Sequence, residues 1–203
     1  MRFDAVVFDF DGTLVDSAPA KYRAFFQIFP GDDAAQRIVA EILRLDPDGS
    51  RHRVIPRMGA LMREAGIALS GSDESRIAAY GEAVLAAVAA CPALPRAEEA
   101  LKLARRSGKV HVSSNTPQAP LHDLLARRGW LALIDGVHGW PSRKSDTLRA
   151  VVAQCGGVAA RVLTVGDGPS DEEAAREVGC PFVRVAPEQG LDPAIAALEG
   201  VHV

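Results

Sequence analysis

The sequence predicts an α/β protein, a parallel sheet layered between helices on both faces, interrupted near its start by a helical insertion. Three observations predict it. From Pro95 onward, apolar runs of strand length alternate with amphipathic helical stretches, the pattern of a parallel sheet in a three-layer α/β/α arrangement. The first apolar run, Ala5-Val6-Val7-Phe8, is unbroken by polar residues, as a strand buried on both faces requires. Between Ser17 and about residue 91 the periodicity is helical throughout.

The elements follow in order. Within the insertion, Ala35, Ile38, Val39, Ile42 and Leu45 recur at helical spacing, with Asp32 or Asp33 as the cap and Pro47 as the stop. A second helix covers Arg53 to Ala65 and closes at Gly66, and a third covers Asp73 to Ala90, followed by Pro92 and Pro95. These prolines mark the return to the sheet, so the reading places the core at 1–16 and 94–203 and the insertion at 17–93. The core continues with a helix to Arg106, a strand over Val110–Ser114, a helix from Pro117 to about Arg128, and a short strand at Gly136–His138. A helix over Ser145–Gln154, a strand over Val162–Val165, a helix over Pro169–Val178 and a strand over Phe182–Val185 complete it.

Composition narrows the function. Of 203 residues, 48% are hydrophobic, enough for a packed core. Lys plus Arg number 23 against 26 Asp plus Glu, so there is no basic field to hold nucleic acid or an anionic membrane. A small-molecule partner is the expectation, with the protein a monomer or homodimer. Cys91, Cys155 and Cys180 are odd in number and widely spaced, against a disulfide framework or a zinc site. No export signal or spanning run is read, and a reducing cytoplasm is the expected setting.

Four features fall at the carboxyl ends of the predicted strands, where open α/β sheets bind their ligands. The first is Asp9-Phe10-Asp11-Gly12-Thr13, two carboxylates beside an apolar strand with a glycine to turn the chain away. The second is Ser113-Ser114-Asn115-Thr116-Pro117, hydroxyls and backbone N–H groups at a helix start, suited to an anion. The third is Lys144, the only lysine after Lys109. The fourth is Gly166-Asp167 with Asp171 beyond it.

Clustered carboxylates repel one another unless a cation compensates them, and the set suits transfer of a phosphoryl group to an aspartate and then to water. Asp9 is the candidate nucleophile and Asp11 the candidate acid and base. Asp9 and Asp167 can share a hard divalent cation, for which Mg²⁺ fits the all-oxygen donors. Ser114 and Lys144 stabilise the equatorial oxygens of the transferring group, with Gly12, Thr13 and Asn115 as further substrate contacts. Asp171 orients either Lys144 or the water around the metal.

In these four motifs the chain resembles the haloacid dehalogenase superfamily, in its phosphatase branch (phosphoglycolate phosphatase-like) with a helical cap inserted after the first motif. The match runs along essentially the whole length. The resemblance implies a Rossmann-like core of five strands with the first strand central, Asp9 as nucleophile and magnesium ligand, and Asp11 as acid/base that also lends its backbone carbonyl to the metal. It implies Asp167 as the remaining protein ligand and Lys144 as the basic residue of the third motif. Where many relatives have proline after that lysine, this chain reads Arg143-Lys144-Ser145, which leaves Arg143 as a rival for the role.

The expected activity is hydrolysis of a small phosphate monoester such as phosphoglycolate or a sugar phosphate. A phosphomutase of the same fold and a phosphate-ester-binding module without turnover are the alternatives. Arg51, His52, Arg53 and Arg57 read either as an anion-reading face or as the wet side of a helix. His111, Trp130, Trp140, Met58 and Met62 read as packing residues.

Overall fold

The computed structural model describes residues 3–47 and 49–200. They divide into two compact units, one of residues up to Asp16 together with those from Cys91, the other Ser17–Ala90. Among them no helix is long and apolar enough to cross a membrane, and Cys91, Cys155 and Cys180 are in no disulfide.

The first unit is built on a five-stranded parallel sheet. Its strands are β1 (Ala5–Phe8), β2 (Lys109–Pro117), β3 (Gly136–Trp140), β4 (Val162–Gly166) and β5 (Phe182–Arg184), in the order β3-β2-β1-β4-β5. All four residues of β1 are buried, which is why this strand carries no alternating polar positions. Phe8, Val112 and Val165 lie in register, so the ends of three strands are level where the site begins.

Four helices of this unit connect strands: α5 (Ala97–Ser107), α6 (Gln118–Arg127), α7 (Lys144–Gln154) and α8 (Pro169–Val178). The first pair joins strands stepping one way from β1 and the second pair strands stepping back. Right-handed crossovers then put the pairs on opposite faces. Accordingly Ala5 and Val7 pack with Leu148 and Val151 of α7 and Ala174 and Ala175 of α8, a face on which a fully buried leucine contributes about 1.5–3 kcal/mol. A final helix, α9 (Asp192–Glu199), packs against α5 and β5. The strand order reverses between β1 and β4, the kind of switch point at which open sheets bind ligands.

The second unit contains α1 (Ala18–Gln27), α2 (Asp33–Leu45), α3 (Arg51–Glu64) and α4 (Asp73–Val88) around Phe25, Phe29, Val39, Ile42, Ile55, Met58, Met62 and Tyr80. Asp32, not Asp33, caps α2, its carboxylate accepting from the backbone N–H groups of Ala34 and Ala35 at 3.1 and 3.0 Å. Arg76 is 5% exposed and neutralised by Asp73 at 2.7 Å.

Residues 91–93, read from the prolines as part of the insertion, pair with the first unit. Asp16 N–H donates to the Pro92 carbonyl and Leu94 N–H to the Leu14 carbonyl, both at 3.0 Å, and Val15 bridges Ala93 in antiparallel fashion. The expectation that Trp140 packs is wrong: it is 62% exposed, whereas Trp130 is 4% exposed. Trp140 ends the edge strand β3, which has no neighbour on its outer side to cover the ring.

Candidate active site

The site grows from the end of β1. The Asp9 N–H donates to the Val165 carbonyl at 2.8 Å, one step beyond the β1–β4 ladder, which fixes the backbone of a residue only 5% exposed. The chain then folds back tightly, with Gly12 N–H donating to the Val15 carbonyl at 2.8 Å and Leu14 N–H to the Phe10 carbonyl at 3.0 Å. Gly12 sits at φ +87°, and a Cβ there would lie 2.2 Å from Asp167 Oδ2. Only glycine allows both this backbone conformation and so close an approach of the second carboxylate.

Thr13, expected as a substrate contact, is completely buried between two acids. Its hydroxyl lies 3.4 Å from Asp9 Oδ2 and 3.3 Å from Asp167 Oδ1, and its single proton serves one of them at a time. On the opposite side, the Asp11 carboxylate turns toward β2. Its Oδ2 accepts from Thr116 Oγ1 at 2.7 Å and from Ser114 Oγ at 3.4 Å. Ser114 Oγ in turn accepts from the Thr116 N–H at 3.1 Å. Asn115, between them, is exposed.

Lys144 is the first residue of α7 and its side chain is 12% exposed. Its ammonium donates to Asp9 Oδ1 at 2.8 Å and to Asp171 Oδ1 at 2.6 Å. Burial works against the lysine charge, but the two carboxylates outweigh it and hold the group above the ordinary lysine range. Arg143, the rival, caps α7 and is exposed. Asp171 experiences the reverse balance: burial first, then Asp9, push its carboxyl up to about 7 against the pull of Lys144. Glycine is again needed beside it, since a Cβ on Gly166 would lie 2.4 Å from Asp171 Cγ.

Carboxylate oxygens of Asp9, Asp167 and Asp171 lie within 4.8 Å of one another. Lys144 pairs with two of these three acids, and the donors are all hard oxygens, so the residues fit a small divalent cation such as Mg²⁺. The Asp11 side chain is not in this cluster. Arg184, at the end of β5, donates from Nη1 to the Asp167 carbonyl at 2.8 Å and pairs with Glu172.

Two residues of this network were not singled out from the sequence. Thr116 had a legible signal, because residues two apart on a strand point the same way and Thr116 follows Ser114 by two. Arg184 had none, since nothing local links the last strand to the backbone of Asp167.

Residues 3–179 match the family model of haloacid dehalogenase-like hydrolases. The chain belongs to that family. This hydrolase is 31% identical over 209 residues to the phosphoglycolate phosphatase of Rhodospirillum rubrum, covering 98% of this chain and 86% of the relative. It is 33% identical over 184 residues to the phosphoglycolate phosphatase of Cereibacter sphaeroides, covering 87% and 82%. Among solved structures it resembles a predicted phosphoglycolate phosphatase from Haemophilus somnus, with a TM-score of 0.72 at 18% identity over 100% of this chain and 99% of the other.

Proposed function

We propose that this hydrolase is a Mg²⁺-dependent phosphatase that cleaves a small phosphate monoester through an aspartyl phosphate on Asp9. The observation that carries the reading is the convergence on Asp9: Lys144 at 2.8 Å, the carboxylates of Asp167 and Asp171 within 4.8 Å, and Asp11 two residues on, held by a hydroxyl. Names of the curated relatives support phosphoglycolate, or an ester like it, as the substrate class, a small cytoplasmic metabolite.

The Asp9 carboxylate attacks phosphorus as the ester P–O bond breaks, and the proton on the Asp11 carboxyl goes to the departing alcohol oxygen. Water then attacks the phosphoryl group, giving its proton to Asp11 while phosphate leaves Asp9. Lys144, which donates to Asp9, and the Ser114 hydroxyl face the negative charge of the transferring group. Asp9, Asp167 and the Asp11 carbonyl would hold Mg²⁺, which supplies charge neutralisation for the phosphoryl oxygens when bound.

Phosphate release from phosphoglycolate and from p-nitrophenyl phosphate, with and without Mg²⁺, tests the reading. Activity that needs the metal and disappears in Asp9→Asn is expected; an Asp9→Asn enzyme with full activity overturns it. Isomerisation of a sugar phosphate would reassign the protein as a mutase, and ester binding without turnover as a binding module.

A further inference from the structure

We infer that Thr116 is the positioning residue for the general acid, holding the Asp11 carboxyl in the rotation from which it protonates the leaving oxygen. The inference rests on the phosphatase reading and adds to it a role for Thr116, which the sequence marks only as part of the Ser113–Pro117 stretch. At 2.7 Å, the bond from Thr116 Oγ1 to Asp11 Oδ2 is much tighter than the 3.4 Å approach of Ser114 Oγ to the same atom. The difference matters because Ser114 has a competing task. When a phosphoryl group occupies the site, the Ser114 proton turns to it, and the hydroxyl of Thr116 remains on Asp11.

Thr116 is well placed for this. It lies on β2 on the same side as Ser114, is half-buried, and its own N–H orients the Ser114 hydroxyl at 3.1 Å. A carboxyl that exchanges a proton with an ester oxygen must present one oxygen and keep the other anchored. Thr116 anchors Oδ2 from the end of β2, in the stretch between Ser113 and Pro117 where the register with β3 shifts, and it holds a group whose misplacement by about 1 Å costs on the order of 10²-fold in rate.

The proton that Asp11 delivers matters only when the leaving group is a poor one. An alkoxide needs it, and p-nitrophenolate leaves without it. Thr116→Val keeps the volume and removes the donor, Thr116→Ser keeps the donor, and Thr116→Ala repeats the loss with less bulk should the valine form fold poorly. With wild-type and variant proteins in Mg²⁺, kcat/KM, which reports the step that expels the alcohol and not the later hydrolysis of the aspartyl phosphate common to both esters, is measured on phosphoglycolate and on p-nitrophenyl phosphate. Thr116→Val and Thr116→Ala are expected to lose about ten- to a hundred-fold on phosphoglycolate, part of the 10²–10⁴-fold supplied by a general acid, and less than about three-fold on the aryl ester. Thr116→Ser is expected to recover most of the loss. Equal losses on both esters, or no loss on either, overturn the role of Thr116 while leaving the phosphatase reading intact. A wild-type protein that hydrolyses neither ester overturns both.

Discussion

Acidification is expected to remove the stabilising contribution of one histidine, His111. Its Nδ1 lies 3.2 Å from Nε2 of His138 on the neighbouring strand β3, and His111 is 4% exposed. The contact needs one ring nitrogen to donate and the other to accept, so a proton on both rings destroys it. Burial first, then the proximity of His138, push His111 from 6.5 down to about 4, with Lys109 acting the same way and Asp135 opposing. Below pH 6.5 the unfolded chain takes up a proton that the folded chain refuses until about pH 4. Stability is therefore full above that window and drains away as pH falls through it, at about 1.4 kcal/mol per pH unit and about 3 kcal/mol in all.

Asp171 runs the other way. Its folded carboxyl is pushed up to about 7 from the ordinary 3.8, so the folded state gains on the unfolded one as pH drops. Total stability against pH mixes these with His138, which burial also pushes down, and the comparison of wild type with His111→Asn separates out His111, because Asp171 and His138 are common to both. Asparagine does not titrate and offers a polar atom near the place of Nδ1. Urea unfolding followed by circular dichroism, between pH of about 7 and about 4.5, should show the advantage of wild type over the variant shrinking by about 2–3 kcal/mol. A difference that stays constant over that range would refute the assignment of the acid sensitivity to His111.

Three further outcomes follow from the geometry. Lys144→Met leaves Asp9 and Asp171 facing each other without their shared cation, and phosphatase kcat should fall by about 10²-fold or more; a variant within about three-fold of wild type would remove Lys144 from the chemistry. Gly12→Ala combines a left-handed backbone with a Cβ directed at Asp167, and should weaken Mg²⁺ binding by calorimetry about ten-fold or more. The comparison is Gly129→Ala, also at positive φ but with open space around the new carbon, which should cost about 1 kcal/mol of stability and leave metal binding alone. Arg76→Met strips the donor from Asp73 and from the carbonyls of Ser70 and Gly71. It should destabilise the helical unit by about 2–3 kcal/mol in urea, and a loss below about 0.5 kcal/mol would contradict the importance of that network.

Much of the architecture was legible because its determinants are local. The unbroken Ala5–Phe8 run marks a strand covered on both faces, and Pro169 with Gly179 brackets α8 at its first turn and its end. Asp9, Asp11, Ser114, Lys144 and Asp167 were readable as a set because each follows a strand whose end the parallel topology brings to one side. What escaped depends on partners far away in the chain. Arg143 stands in extended conformation just before α7 and Lys144 opens it, and only the packing of that helix decides that Lys144 turns inward. Thr116 and Asp11 are 105 positions apart, and the exposure of Trp140 is set by the missing neighbour of β3. The helices α1 and α9 were not picked out individually: the first starts at a proline in a mixed stretch, and the second is only eight residues long.

The backbone clasp between Val15 and Ala93 has a bearing on how this protein came to be built. Because Asp16 and Leu94 are tied to the chain opposite by their own peptide groups, the two cut ends of the sheet unit meet as a pair of short antiparallel arms. Any peptide whose termini lie side by side could be spliced there without disturbing the strand that carries the nucleophile. The junction thus works as a socket, into which a helical insert can be set while the strand and turn that carry Asp9 and Asp11 stay fixed in the sheet unit.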